Sequence, residues 1–154
     1  MKTYFLLFFM GTMCLVKAQI LEPVKISWSS NKIDKNSYEI HLKAEIDKNW
    51  HVFSQNMEEG GPLPTLIEFN KNNNVTLQGR TKEVGKLREK YEEIFMVNTK
   101  YYYNTVDFVQ LVKKKTDKPV KLEGTITYMA CKEEQCLTPQ EVEFEVVLNG
   151  SNPN

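Results

Sequence analysis

The feature that most constrains the fold is an alternation of apolar and polar residues with a period of two. In "YEIHLKAEI", Tyr38, Ile40, Leu42, Ala44 and Ile46 fall on one side, and Glu39, His41, Lys43 and Glu45 on the other. Successive side chains of a strand point to opposite faces, so this stretch suits a strand with one face in a core and one in water. "EVEFEVVL" repeats the pattern with Val142, Phe144, Val146 and Leu148 inward, and "VKLEGTITYMA" with Val120, Leu122, Ile126 and Tyr128. Shorter candidates are "VKISW", "WHVFSQ", "TLIEFN", "VTLQG", and the pair "FMVNTKYYY" and "TVDFVQLV" around Asn104. Turn-forming clusters separate them: "DKN", "EEGGPLP", "NKNNN" and "KTDKP". So many short, punctuated strands in a small chain predict an all-β antiparallel sandwich. One segment departs from the pattern. "TKEVGKLREKYEEIF" has helix-friendly composition and places Val84, Leu87, Tyr91 and Ile94 on one helical face. It is expected to be a mobile, charged connection with no more than a turn of helix.

The opening "MKTYFLLFFMGTMCLVKAQ" combines Lys2, an apolar run from Tyr4 to Val16 and a small residue, Ala18. It reads as a cleaved secretory signal peptide over residues 1–19, too short for a comfortable membrane span. The domain proper then covers residues 20–149, and the polar tail 150–154 is expected to be disordered. A lipidated Cys14 is disfavoured because Gly11-Thr12-Met13 lacks the aliphatic residue such a site wants three positions upstream. The 20 basic and 20 acidic residues balance, and losing Lys2 and Lys17 tips the remainder slightly acidic. No basic stripe argues for nucleic acid. Roughly 135 residues remain, enough for one domain with its own core.

Cleavage also removes one of the three cysteines and leaves Cys131 and Cys136. An even pair in an exported chain is a disulfide or a redox dithiol. With "KEEQ" between them, the two could face each other across the neck of a hairpin, where opposed Cα atoms lie about 4.5 to 5.5 Å apart, within reach of a disulfide. A staple closing so short a loop stabilises by only about 2 kcal/mol, against nearly 5 for a hundred-residue loop. A metal clip would recruit His41 and His51, but the spacing is one zinc accepts without requiring, and the histidines precede the cysteines. No metal or other cofactor is expected. The acidic neighbours Glu133, Glu134 and Glu141 should hold the thiols less reactive than those of a thioredoxin-type motif. That suits a pair that exchanges only after a partner docks. Pro139 cannot donate to a ladder, so it marks the strand after Cys136 as an edge or bends it away.

These residues carry a resemblance. A strand ending "YMAC", a short loop, then "CLTP" and the alternating "EVEF" resembles the N-terminal periplasmic domain of the transmembrane disulfide reductase DsbD, and so do "DKNWHVFSQ" and "GPLPTLIEF". The resemblance runs from about Val24 to Leu148. It implies an immunoglobulin-like sandwich in a periplasmic protein, and a monomer is expected. Cys131 and Cys136 would be the active pair, relaying electrons from a thioredoxin-like donor to disulfide-handling partners of the envelope. Cys136 would form the mixed disulfide and Cys131 resolve it. An aromatic on a flexible loop covers the pair in that family; here the position falls on "YEEIFMV", with Phe95 first and Tyr91 next. His51 and Phe53 would line the site. Thr138-Pro139 stands where the family often has two prolines. The sequence ends at Asn154, without the membrane and thioredoxin-like domains that follow in the whole family member, so the donor is expected to be a separate protein. The alternative is a non-catalytic sandwich module that binds another envelope protein and carries an inert disulfide.

Overall fold

The computed structural model describes residues 21–93, 95–133 and 135–149; the stretch expected to be a leader, the C-terminal residues 150–154, Ile94 and Glu134 lie outside them. The alternating segments become strands: β1 (Val24–Lys32), β2 (Ser37–Ile46), β3 (His51–Phe53), β4 (Leu66–Phe69), β5 (Val75–Gly85), β6 (Arg88–Glu92), β7 (Val97–Tyr103), β8 (Thr105–Lys114), β9 (Val120–Tyr128), β10 (Ala130–Lys132), β11 (Gln135–Cys136) and β12 (Gln140–Leu148). Every pairing is antiparallel. Three sheets result, ordered β1-β2-β8-β5, β12-β9-β4 and β11-β10-β3-β7-β6. No helix occurs among the described residues, and the fold is an immunoglobulin-like sandwich.

The core is built as the alternation requires. Tyr38, Ile40, Leu42, Ala44 and Ile46 of β2 meet Leu122, Ile126 and Tyr128 of β9 and Phe144, Val146 and Leu148 of β12 in one buried cluster. Burying such side chains contributes roughly 1.5 to 3 kcal/mol each, which is what holds the sheets together. Val52, Tyr102 and Ala130 bring the third sheet into the same cluster. Gly124 allows a close approach: a Cβ there would lie 2.3 Å from the Glu68 carbonyl oxygen and 2.5 Å from Phe144 Cζ.

One expectation is corrected. The described residues between 81 and 95 hold no turn of helix, Ile94 lying outside them: β5 runs on through Val84 and Gly85, paired with Asp107 and Val106, and β6 pairs with β7 from Arg88↔Tyr101 to Glu92↔Val97. Val84, Leu87 and Tyr91 are all exposed, so no helical face is buried, and ladder pairing overrides local composition. Trp28 is 40% exposed because β1 is an edge strand, whereas Trp50 packs against the core.

Candidate functional site

Cys131 and Cys136 are direct partners on the β10–β11 ladder, 4.1 Å apart at Cα, and are joined as a disulfide. Lys132↔Gln135 adds one more rung toward the turn, where Glu133 takes a left-handed φ of 52°. On the other side of the neck, the Leu137 amide donates to the Ala130 carbonyl. The hairpin prolongs the β9–β12 pair past Pro139, and β11 is the edge of its sheet. The two sulfur-bearing residues differ in access: Cys131 is 1% exposed, and Cys136 is exposed.

Across β10 from Cys136, the next strand places His51 opposite Cys131, and the strand after that places Tyr103 opposite His51. Cys136, Cys131, His51 and Tyr103 thus form one row across four strands. Side chains along such a row share a face. Phe53 pairs with Tyr101 two residues along, on the same face. The His51 ring lies 5.2 Å from Phe53, 4.9 Å from Tyr101 and 5.5 Å from Tyr103, and the two tyrosine rings meet at 5.5 Å. Phe53 and Cys131 are buried without belonging to the main core cluster, whose members on these strands, Val52, Tyr102 and Ala130, alternate with them. The site is therefore a second, smaller apolar face on the far side of the sheet.

The hairpin of β6 and β7 bears on this face. Glu92 stands opposite Val97, at the turn end of that hairpin. Burial lowers the His51 pKa, with Glu92 raising it and Lys90 lowering it. Burial likewise raises the Tyr101 pKa, with Tyr103 and Glu92 adding to it and Lys90 and Arg88 opposing. Phe95 sits in the hairpin turn, its amide donating to the Glu92 carbonyl, and is 42% exposed; Tyr91 is 55% exposed.

One anchoring group escaped the sequence reading. The Glu83 carboxylate accepts from Ser54 Oγ at 2.8 Å, the Gln55 amide at 2.6 Å and the Tyr102 hydroxyl at 2.8 Å, tying β5 to the ends of β3 and β7. Burial, and then the Glu83 bond, push the Tyr102 pKa well up. Glu83 lies in the segment read as a connection, so only the polar Ser54 and Gln55 ending an apolar strand hinted at a partner. The four-ligand metal set does not assemble. His41 stands on β2 in another sheet, its Nδ1 2.7 Å from Asp107 Oδ2, and the described residues contain no group of three or more His, Cys, Asp or Glu poised to hold a metal ion.

The sequence matches the family described as "Thiol:disulfide interchange protein DsbD, N-terminal" over residues 17–148. No curated protein sequence matches the chain. Solved structures with the same fold include the N-terminal periplasmic domain of ScsB from Proteus mirabilis (TM-score 0.54, 16% identity, 84% of this chain and 47% of that one). The N-terminal domain of DsbD from Neisseria meningitidis in its reduced form is also similar (TM-score 0.53, 17% identity, 81% of this chain and 86% of that one). A third, from the same organism, is a complex between the DsbD N-terminal and PilB N-terminal domains (TM-score 0.50, 13% identity, 86% of this chain and 94% of that one). The chain spans under half the length of the ScsB domain. With the family matched from residue 17 to residue 148 and Cys131 and Cys136 paired at a sheet edge, the chain belongs to the DsbD N-terminal domain family of thiol:disulfide interchange proteins.

Proposed function

We propose that this protein relays electrons by thiol–disulfide exchange in the periplasm, after export on the 1–19 leader. A thioredoxin-like donor reduces the Cys131–Cys136 disulfide, and the resulting dithiol reduces disulfide-handling partners of the envelope. In the first half, a donor thiolate attacks the exposed Cys136 sulfur and the electron pair of the broken bond stays on Cys131. The donor's second thiol then releases itself as a disulfide, leaving both cysteines of this chain reduced. In the second half, Cys136 attacks the acceptor disulfide and Cys131 resolves the product. Phe95, with Tyr91 beside it, covers the pair between encounters and swings aside on docking; the place of Phe95 in the β6–β7 turn of the same sheet, with its ring partly exposed, supports this. His51 and Phe53 line the site.

The observation that carries the reading is the asymmetry of the pair: a sealed cysteine bonded to an open one on an edge strand. The sealing of Cys131 is also the one feature that favours the alternative, an inert staple in a binding module. The reduction potential decides between them. An exchanging pair is expected above roughly −300 mV, and a value well below that would assign the bond a structural role.

A further inference from the structure

His51 Nδ1 is buried and has no hydrogen-bond partner among the described residues. Buried side-chain nitrogens are nearly always satisfied, and an exception calls for a physical account. Here the ring is wedged among Phe53, Tyr101 and Tyr103, and the residue stands directly across the ladder from Cys131. Cys131 is the cysteine that must lose a proton in a place water does not reach, since it is 1% exposed. A thiol in apolar surroundings does not ionise readily, and only the thiolate attacks a disulfide. We propose that His51 accepts the proton of the Cys131 thiol when the mixed disulfide on Cys136 is resolved, an inference that rests on the exchange reading above.

The step balances. The Cys131 thiol passes its proton to His51, and the thiolate attacks the Cys136 sulfur. The Cys131–Cys136 bond forms as the bond from Cys136 to the partner breaks. The electron pair leaves on the partner's sulfur, which takes up the proton from the imidazolium. The protein's dithiol is oxidised by two electrons, and the partner's disulfide is reduced to thiols.

The surroundings keep the ring competent. The titratable groups facing it are Cys131 on β10 with Cys136 beyond, Tyr101 and Tyr103 on β7, and Lys90 and Glu92 on β6. Lys90 and Glu92 pair with each other at 3.0 Å, and their effects on the ring oppose. Burial is left as the main influence and holds the imidazole neutral at neutral pH, the form that can take a proton.

Dithiobis-nitrobenzoate separates the two thiols of the reduced protein. The first coloured thiolate reports attack by Cys136 and scales with reagent concentration; the second reports resolution by Cys131 and does not. His51→Phe keeps an aromatic ring among its neighbours but cannot accept a proton. It should slow the second release about tenfold or more at neutral pH and leave the first unchanged. His51→Gln should behave the same way. Wild-type resolution in either variant, or equal slowing of both releases, overturns the proposal. The unmutated protein supplies a test of its own: its second-release rate should level off well below the pH at which a buried thiol ionises. A rate that keeps climbing roughly tenfold per pH unit to the thiol's own pKa removes the base. A reduced wild type that releases no second thiolate at any pH fails the exchange reading instead, so the two failures are distinguishable.

Discussion

Cys131 and Cys136 share one rung of the β10–β11 ladder, yet Cys131 is 1% exposed and Cys136 is open to solvent. A bulky nucleophile can reach only one of the two sulfurs. Cys131→Ala should therefore trap a stable mixed disulfide with a thioredoxin-like protein through Cys136, because the resolving thiol is gone. Cys136→Ala should trap far less. Non-reducing gels of both variants with the same partner check this, and equal trapping would contradict the assigned direction of attack.

The bond itself should matter little to folding. It closes a loop with a sequence separation of 5, for which chain entropy allows about 2 kcal/mol. The core cluster on the other side of the sheet does not include either cysteine. The double change of Cys131→Ala and Cys136→Ala should lower the unfolding free energy by about that amount in urea, with a native-like spectrum retained. A loss of twice that size would point to a staple.

How much of this was legible in the sequence depends on where each constraint lies. Strands β2, β9 and β12 could be read because one face of each is buried, and burial writes period two into the residues themselves. The cysteine hairpin was legible for a related reason: its two residues lie close in sequence, and their opposition needs only a short turn. The stretch containing β6 resists reading because Val84, Leu87 and Tyr91 happen to fall at helical intervals, while Val84 and Tyr91 pair with Asp107 of β8 and Asn98 of β7, partners chosen by tertiary pairing. The row from Cys136 to Tyr103 was not derivable from spacing at all. His51 and Cys131 are brought together by a ladder between strands far apart in the chain, and apart from the disfavoured metal set it is the family resemblance that put His51 near the cysteines. Trp28 shows the opposite limit, since bulk and apolarity say nothing about standing on an edge strand.

Gly124 offers a test of the sandwich that leaves the redox site alone. Its partners across the two ladders are Phe69 and Phe144, whose rings meet at 5.3 Å, and an added methyl would press on Phe144 and on the backbone of β4. Backbone cannot yield as a flexible side chain does. Gly124→Ala should cost about 1 to 3 kcal/mol, the usual range for overpacking a core, seen as a lower melting temperature. An unchanged melt would mean that β4 can move off β9 at no cost.

Phe95 should act on kinetics rather than on stability. At 42% exposure in a hairpin turn, its loss should cost well under the roughly 3 to 5 kcal/mol of a core phenylalanine. If its ring screens the pair, Phe95→Ala should speed reduction of the disulfide by dithiothreitol, measured as loss of the oxidised form over time. Faster reduction with an unchanged melting temperature is the expected outcome. A large fall in melting temperature with the same reduction rate would make Phe95 a packing residue and end the gating mechanism.

His51 should also leave a mark on the pH dependence of stability. Burial holds its pKa below the ordinary value of 6.5, so as pH falls through that value the unfolded chain takes up a proton that the native state refuses. The unfolded state is thereby favoured, and stability declines from pH 7 toward pH 5 until the native imidazole also protonates. The carboxylates with lowered pKa values, Asp34, Glu45 and Glu123, start from 3.8 to 4.5 and act only at lower pH, so the windows separate. Thermal melts between pH 7 and pH 5 should show a falling midpoint in the wild type and a flatter course in His51→Phe. Parallel courses in the two proteins would mean that the imidazole is solvated and charged in the native state, and that the apolar face across from Cys131 is open to water.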